Sequence, residues 1–402
     1  MLISIIGLLI TVNLMILLSG RFYLYKGIAN TYLVGRIGPS IYDLDIFPYS
    51  TIEKGEIKTE LIDSDSKNAY QLEASEEELL KKAQTKAFIV LQNNKLLYEK
   101  YWDGHSENTV SNSFSVAKTV VSLLVGIALE EGKIKSLDDP IANYITKFKE
   151  GDKSKITIRH LLTMSSGLDW SESGKNPLSN NAESYYGTYL YDLVTKQRVV
   201  QEPGKTFNYQ SGNSQLLGYV IEAATGEDLS AYAEEKLWSK LGAQHDAYWS
   251  LDKEQGDEKA FCCMYATARD YARLGLLILN KGKLNDTQLI PERYFEEMVI
   301  PAPLNTEENI PNYRYGLHIW TYNDGKRKIN YCRGIKGQYV ITIPEEEIVI
   351  IRLGSAKKIN FELEEDRMDE PGYFEANKYK VGHSASLFDM IELGVKIKNS
   401  QK

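Results

Sequence analysis

The 402-residue sequence contains little cysteine and no clustered metal ligands. Its three cysteines are too few for a disulfide framework, and Cys262 and Cys263, being adjacent, have poor geometry for bonding each other. Neither Cys-x-x-Cys nor HExxH occurs, and the five histidines are scattered along the chain. We therefore expect neither a zinc site nor any other metal centre.

Positive charge is also scarce. The chain has 47 Lys and Arg residues against 55 Asp and Glu residues, a formal net charge of −8, and no run of five basic residues. Binding to a nucleic-acid backbone needs clustered cations, so we expect no nucleic-acid partner. A hydrophobic content of 43% is ordinary for a globular protein, and the length suffices for a large core.

The first twenty residues lack charged side chains, and residues 2–18 consist mostly of Leu and Ile. About 17 apolar residues form nearly the shortest helix that spans a bilayer. Because no basic residue precedes Arg21 and no suitable cleavage site follows, we predict that residues 1–20 form a membrane anchor or uncleaved signal. A cleaved signal and a buried helix are the alternatives. By the positive-inside rule, Arg21, Lys26 and Arg36 would hold the rest of the chain in the cytoplasm.

The remaining sequence predicts an α+β fold. We interpret residues 21–70, of mixed composition, as a linker or arm, and residues 71–402 as one domain. Apolar stretches separated by turn residues predict strands and β-hairpins within 85–103 and 315–355, whereas residues from about 115 to 280 are mainly helical in pattern. Strands at both ends of a helical region predict one antiparallel β-sheet flanked by helices, with an adjoining helical subdomain.

The chemically informative part of the chain begins at Ser115. Ser115-Val-Ala-Lys118 opens a long apolar run, 119–129, whose composition predicts a buried helix. Positions i and i+3 share a helix face, so the Lys118 amine would lie near the Ser115 hydroxyl. Burial lowers the pKa of a lysine, and a neutral amine can accept a serine proton. The alternative is that Ser115 only caps the helix while Lys118 extends its amine to solvent.

Two later segments contain groups that suit the same chemistry. Residues 203–218 place Tyr209 in a loop before an apolar helix, where a tyrosine beside a lysine can serve as a base or an acid. Because the chain has 27 tyrosines, this residue alone is a weak signal. Residues 332–338 are rich in glycine and precede a strand, so their amides suit an oxyanion hole, although in isolation the segment would be interpreted as a bulge.

Together and in this order, the three segments resemble the serine β-lactamase and penicillin-binding-protein-like superfamily over roughly residues 80–355. The likeness is closest to the class C-like branch, which includes 6-aminohexanoate-dimer hydrolases, esterases and D-aminopeptidases. Residues 156–168 resemble the segment that this family carries between its first and second motifs. The resemblance implies an antiparallel sheet flanked by helices (β-lactamase/transpeptidase-like), a site beside a helical domain, and no metal or cofactor.

By motif position, the resemblance makes Ser115 the nucleophile, Lys118 its activating partner and Tyr209 the acid/base. The backbone amides of Ser115 and Ile335 would form the oxyanion hole. The implied activity is a serine hydrolase that cleaves a small amide or ester substrate through an acyl-enzyme.

Three further positions bear on the substrate. Ser211 stands where the family usually has Asn, and Cys332 stands where it usually has the cation of Lys-Thr-Gly or His-x-Gly. Gly334 would let a substrate backbone approach the strand. The missing cation argues against a dedicated β-lactamase, because that charge helps to bind the substrate carboxylate. The alternative is that Cys332 is only a small packing residue.

Two other functions stay open: a non-catalytic binding or scaffold protein of the cell envelope, and a true β-lactamase or D,D-peptidase. A G-x-S-x-G elbow, which would indicate a different serine hydrolase, does not occur. Since many relatives act on the envelope, we expect a single-pass anchor in a bacterial inner membrane with the catalytic domain outside the cytoplasm, although the charge count opposes this orientation.

Overall fold

The computed structural model describes residues 2–56, 60–284, 287–356, 360–364, 367–368 and 370–401. The α-helices in chain order are α1 (Leu2–Ser19), α2 (Tyr23–Asn30), α3 (Ala74–Lys82), α4 (Val116–Glu130), α5 (Ile158–Leu162), α6 (Asn180–Tyr186), α7 (Leu190–Thr195), α8 (Ser211–Thr225), α9 (Leu229–Lys236), α10 (Ala268–Leu279), α11 (Glu292–Met298), α12 (Tyr373–Asn377) and α13 (Ala385–Asn399). The β-strands are β1 (Tyr49–Ile52), β2 (Ile62–Asp63), β3 (Thr85–Gln92), β4 (Lys95–Tyr101), β5 (Ser111–Asn112), β6 (Thr206–Phe207), β7 (Ala247–Ser250), β8 (Met264–Ala266), β9 (Lys283–Leu284), β10 (Thr287–Gln288), β11 (Asn305–Thr306), β12 (Trp320–Asn323), β13 (Lys328–Gly334), β14 (Gln338–Ile343) and β15 (Ile348–Gly354).

The main sheet combines strands from both ends of the chain. Within the described residues its order is β12-β13-β14-β15-β3-β4-β2, and neighbours are antiparallel except for β2, which runs parallel to β4. Both predicted hairpins are confirmed. Strands β3 and β4 flank Asn93 and Asn94, whose positive φ values of 48° and 66° suit a two-residue hairpin turn, and β14 and β15 form the second hairpin.

Both faces of this sheet are buried. Successive side chains along a strand point to opposite sides, so alternate residues enter different cores. On β15, Val349 and Ile351 join the core that contains α4 and α10, whereas Ile348 and Ile350 join the core that contains α13. The sheet therefore carries a helical layer on each side. This arrangement confirms the predicted α+β class with an antiparallel sheet flanked by helices.

The region from 115 to 280 contains α4 to α10, and α4 packs against α8. It also contains β7 and β8, which the sequence analysis did not predict and which belong to a second sheet of order β1-β7-β8-β5. Strand β1, from the segment 21–70, pairs antiparallel with β7. Because Ile41 and Phe47 of the same segment are buried as well, these residues contribute to the core.

The prediction of a membrane anchor is wrong. Among the described residues, none of the helices combines the length and the apolar character needed to cross a membrane. Helix α1 has 18 residues. The Tyr25 hydroxyl donates a 3.0 Å hydrogen bond to Asn13 Oδ1, a polar group within this helix. The predicted bilayer partner and inner-membrane location rested on the same segment and are not supported.

The prediction that adjacency keeps Cys262 and Cys263 from bonding each other is also wrong, since a disulfide joins them. The backbone of Cys263 is left-handed, with φ of 67°, a conformation that residues other than glycine adopt infrequently and that the sequence does not indicate. Both residues are buried, and Phe261 precedes them directly. Cys332 is a free and buried thiol.

Candidate active site

Ser115 lies at the turn that leads into α4. It is the residue before the helix, and it is partly exposed between the buried Phe114 and Val116. Phe114 has a left-handed backbone with φ of 48°, and its N–H donates a 2.7 Å hydrogen bond to Asn112 Oδ1. A bulky residue keeps this uncommon conformation only where its surroundings impose it. The turn thus leaves the Ser115 hydroxyl accessible within an otherwise buried segment.

Lys118, one helical turn later, faces Ser115 from the interior. The residue is 1% exposed, and Nζ lies 3.1 Å from Ser115 Oγ. Nζ also donates a 2.6 Å hydrogen bond to the carbonyl oxygen of Phe261. Burial lowers the pKa of Lys118 to about 8, against an opposing effect of the Glu172 carboxylate. About a tenth of the molecules then hold a neutral amine at pH 7, which suits a base beside a hydroxyl.

Tyr209 completes this group from the loop before α8. The centre of its ring lies 5.2 Å from Lys118 Nζ, and the Ser115 side chain is near enough to lower the pKa of the phenol. Burial and the charge of Glu172 raise the pKa of Tyr209, and the contact with Ser115 opposes them only in part. The phenol is therefore protonated at neutral pH, which suits it to donating a proton.

Residues 164–168 fix the loop before α8 and the first turn of that helix. The N–H of Asn208 donates to the carbonyl oxygen of Met164 at 2.8 Å, and Ser166 Oγ donates to Asn213 Oδ1 at 2.6 Å. These two bonds tie residues 164–168 to the residue before Tyr209 and to the first turn of α8. The segment that precedes the tyrosine by some forty positions therefore acts as its support.

Strand β13 ends at Gly334, and a 3-10 turn, Ile335–Gly337, follows. A Cβ atom at Gly334 would overlap the carbonyl oxygen of Ser113, so glycine is needed for the strand to come this close to the turn before α4. The third predicted segment is thus brought against the turn that carries Ser115. The backbone amides of Ser115 and Ile335 remain the predicted oxyanion hole.

Two buried polar side chains hold the 3-10 turn. Gln338 Nε2 donates a 3.0 Å hydrogen bond to the carbonyl oxygen of Ile335. Arg352 Nη1 donates to the next two carbonyl oxygens, at 2.8 and 2.6 Å. Burial lowers the pKa of Arg352 to about 10, so the guanidinium is charged at neutral pH. The sequence analysis did not identify this arginine, because nothing in an apolar strand marks one arginine as buried.

The predicted substrate-binding residues lie in different surroundings. Ser211 is buried in the first turn of α8, and Gly334 lies at the end of β13. Cys332 is 0% exposed in the core beside α4, and burial raises its pKa to about 12, so it is a neutral thiol. Full burial favours the packing alternative for Cys332. The next residue, Arg333, has its guanidinium carbon 3.4 Å from the centre of the Trp320 ring.

Glu172 is a residue of this site that the sequence analysis missed. Its carboxylate accepts hydrogen bonds from Ser211 Oγ at 2.6 Å, from the Ser211 N–H at 2.7 Å and from Trp170 Nε1 at 2.8 Å. It lies in a polar loop where no spacing distinguishes one carboxylate from another. The one sequence feature that could have drawn attention to Glu172 was its position shortly after residues 156–168.

The site brings together a hydroxyl, an amine and a phenol, groups that can serve as nucleophile, base and acid in acyl transfer to a serine. In the part of the chain that the structure describes, no group of three or more His, Cys, Asp or Glu side chains is placed to hold a metal ion.

The model of the family described as Beta-lactamase matches residues 72–370 of the chain. The chain belongs to this family. Beta-lactamase family members are serine hydrolases, so the protein is an enzyme of that type, and the resemblance found in the sequence is confirmed.

Relatives within the Beta-lactamase family include two curated hydrolases. The chain is 26% identical over 300 residues to 6-aminohexanoate-dimer hydrolase of Paenarthrobacter ureafaciens, covering 69% of this chain and 74% of the relative. It is 26% identical over 303 residues to teichoic acid D-alanine hydrolase of Staphylococcus aureus (strain MRSA252), covering 68% and 70%. A Bacillus anthracis structure provisionally assigned as a 6-aminohexanoate-dimer hydrolase superposes with a TM-score of 0.70 at 23% identity, covering 79% and 87%, which shows the shared fold.

Proposed function

We propose that the protein hydrolyses a small amide or ester through an acyl-enzyme on Ser115. The observation that carries this proposal is the 3.1 Å separation between Ser115 Oγ and the Nζ of a buried Lys118. A lysine in water is protonated at neutral pH and cannot accept a proton, whereas burial lowers the pKa of Lys118 to about 8. An accessible hydroxyl beside such an amine is an activated nucleophile.

The first half of the reaction acylates the serine. Neutral Lys118 accepts the Ser115 proton while Oγ attacks the substrate carbonyl, and the amides of Ser115 and Ile335 donate to the resulting oxyanion. When the carbon–nitrogen or carbon–oxygen bond breaks, Tyr209 donates its proton to the leaving amine or alcohol. The proton held on Lys118 then restores the phenol.

The second half releases the acyl group. A water molecule attacks the acyl-enzyme carbonyl and gives its proton to the same amine and phenol pair, and the Ser115 oxygen leaves with a proton from that pair. The products are a carboxylic acid and the free serine. Each group returns to its starting protonation state, so the cycle requires no external acid, base or cofactor.

The substrate is proposed to be an amide or ester other than a penicillin. Cys332 is a buried neutral thiol where many relatives carry a cation, so it offers no charge to a β-lactam carboxylate. Loss of one charge-assisted hydrogen bond costs about 1.5–3 kcal/mol. The names of the two curated relatives specify a 6-aminohexanoate dimer and the D-alanine of teichoic acid, which supports small hydrolysable substrates of this kind.

A neutral fluorophosphonate probe tests the nucleophile directly. We expect the probe to modify Ser115, identified by peptide mass spectrometry, and we expect Ser115→Ala to abolish both labelling and ester hydrolysis while keeping its melting temperature. The matched control is Ser64→Ala, which alters another Ser-x-x-Lys pair, Ser64 and Lys67. Near wild-type ester hydrolysis by Ser115→Ala, or a label on another residue, would refute the assignment. An intact site that never reacts would favour the non-catalytic alternative.

A further inference from the structure

One short backbone segment supports both the base and the turn that carries the nucleophile. The carbonyl oxygen of Phe261 accepts the 2.6 Å hydrogen bond from Lys118 Nζ. Further along the segment, the carbonyl oxygen of Met264 accepts a 2.8 Å hydrogen bond from the N–H of Ser113, shortly before Ser115. The conformation of this segment therefore bears on how the amine and the hydroxyl face each other.

The Cys262–Cys263 disulfide lies between these two carbonyls. A bond between the side chains of adjacent residues closes a small ring that contains the peptide bond joining them, so it restricts the backbone on both sides of that peptide bond. Cys263 has a φ of 67° within this ring, a conformation that residues other than glycine adopt infrequently. Without the ring, the segment is free to relax and to carry the Phe261 carbonyl with it.

The Phe261 carbonyl has little else to fix its direction. The carbonyl oxygens of the two cysteines accept 3.0 Å hydrogen bonds from Trp249 Nε1 and from the Ser250 N–H, respectively. Among the described residues, the one hydrogen-bond donor to the Phe261 carbonyl oxygen is Lys118 Nζ itself. The direction of this acceptor thus depends on the backbone that follows it, which the disulfide restricts.

A contribution to overall stability does not account for this bond. In the chain-entropy model, a disulfide stabilises a fold by restricting the unfolded chain, and the effect grows with the length of the loop that it closes. Adjacent residues enclose no loop, so this bond restricts the unfolded chain very little. Its effect is local, and the nearest group with a chemical task is the acceptor of Lys118.

We propose that the Cys262–Cys263 disulfide is a positioning element of the active site, which holds the Phe261 carbonyl so that Lys118 Nζ stays beside Ser115 Oγ. The inference rests on the proposed function of Ser115 and adds a requirement for the oxidised cysteine pair. The cysteines act through the carbonyl and the amine, and they take no part in proton transfer.

Reduction of the full-length chain with dithiothreitol tests the proposal. The dithiol gives two electrons and two protons to the pair, the S–S bond breaks, two thiols form, and the reagent closes to a cyclic disulfide. Thiols counted in denaturant should increase from one, that of Cys332, to three. After anaerobic removal of the reagent, kcat/KM for a neutral ester, measured at a pH above the midpoint, should be at least tenfold lower because the amine is misplaced.

The pH profile separates positioning from a structural role. A hydrogen bond to an ammonium favours the charged form, so withdrawing the Phe261 carbonyl should lower the pKa of Lys118 and move the midpoint down by about one pH unit. The titratable groups around Lys118 are Glu172, Tyr209 and His318, and reduction of the disulfide changes the charge of none of them. The melting temperature should stay close to that of the oxidised protein, because the bond closes no loop.

Two double variants make the test independent of how readily the buried bond is reduced. Cys262→Ser/Cys263→Ser should reproduce the activity and the midpoint of the reduced enzyme, and dithiothreitol should not change them further. Cys262→Ser/Cys263→Gly is the matched control, because glycine adopts a positive φ at no steric cost. It should be more active than the serine pair, and equal losses in the two variants would contradict an effect transmitted through the backbone at residue 263.

Full activity with an unchanged midpoint, in the reduced enzyme or in the serine pair, would overturn the proposal. A lower melting temperature without a shift of the midpoint would overturn it as well, since the bond would then only stabilise the core. Fluorophosphonate labelling separates this inference from the proposed function. If Ser115 reacts at the same rate with and without the disulfide, this inference alone fails, whereas a Ser115 that is unreactive in the oxidised enzyme removes the proposed function and the inference together.

Discussion

Two buried lysines in the described part of the chain have closely similar surroundings, and only one of the two faces a nucleophile. Lys118 is 1% exposed and Lys259 is 0% exposed, and each donates a 2.6 Å hydrogen bond to a backbone carbonyl oxygen, of Phe261 and Tyr185 respectively. Burial lowers the pKa of both. A lowered lysine pKa therefore does not by itself identify a base.

The difference lies in what else each ammonium nitrogen meets. Lys259 Nζ lies 3.2 Å from the centre of the Phe47 ring, an apolar surface with no proton to give. Lys118 Nζ lies 3.1 Å from the Ser115 hydroxyl. Whether a buried amine can act as a base therefore depends on the group that it faces.

Substitution should separate the two lysines more strongly than any other change. Lys118→Met should lower kcat/KM for an activated ester by about 10²–10⁴-fold, the usual contribution of a general base, whereas Lys259→Met should keep activity per folded molecule close to wild type. Stability should respond differently from activity. At a pH below both the folded and the unfolded pKa of Lys118, the amine is charged in both states, and burying the charge destabilises the folded protein. The shift of this pKa from 10.5 to about 8 corresponds to about 3 kcal/mol.

Removing that amine should therefore leave the free energy of unfolding of Lys118→Met unchanged or higher. Ester hydrolysis and urea unfolding measure the two quantities. Comparable losses of activity in both folded variants would erase the distinction between the lysines.

A second prediction concerns the proposed oxyanion hole beside Ser115, a feature that the pocket of Lys259 would not require. Gly334→Ala should lower kcat by about 10²–10³-fold, because the new methyl group would push the Ile335 turn away from Ser113 and misplace one oxyanion donor. The matched control is Gly38→Ala, where an added Cβ meets nothing within 4 Å. Measuring ester hydrolysis together with the melting temperature separates a misplaced oxyanion donor from unfolding of the protein. A fully active Gly334→Ala would show that the close approach of Gly334 to Ser113 is unimportant for activity.

The smallest expected effect is a displacement of the pH profile. Glu172 raises the pKa of Lys118, and Asp252 raises that of Lys259. Glu172→Gln should therefore move the midpoint of the kcat/KM profile for a neutral ester to lower pH, since the base then loses its proton more easily. Asp252→Asn should leave the midpoint in place. Equal displacements in the two variants would mean that the midpoint does not belong to Lys118.

The sequence was informative where a local pattern determines the structure. Alternation and paired asparagines predicted the hairpin of β3 and β4, and the i to i+3 spacing predicted the contact of Ser115 with Lys118, because both are short-range geometric consequences. The burial of the helix after Ser115 could likewise be predicted from its unbroken apolar run.

What the sequence did not reveal depends on contacts between distant segments. Glu172 and Arg352 acquire their roles only when the loop near α8 and the turn after β13 are brought into place. The Cys262–Cys263 disulfide depends on a backbone conformation at Cys263 that residue type does not predict. The anchor prediction failed, since none of the helices in the described residues has both the length and the apolar character needed to cross a membrane.

The rate at which a neutral fluorophosphonate modifies Ser115, measured against pH in wild type and in Lys118→Met, shows whether the buried amine activates the serine. Lys118 loses its proton with a pKa of about 8, so the wild-type rate should rise about tenfold per pH unit below that value and become constant above it. In Lys118→Met the rate should be far lower and should show no midpoint near 8. A wild-type rate that does not change with pH, or the same midpoint in Lys118→Met, would contradict the claim that the buried amine activates Ser115.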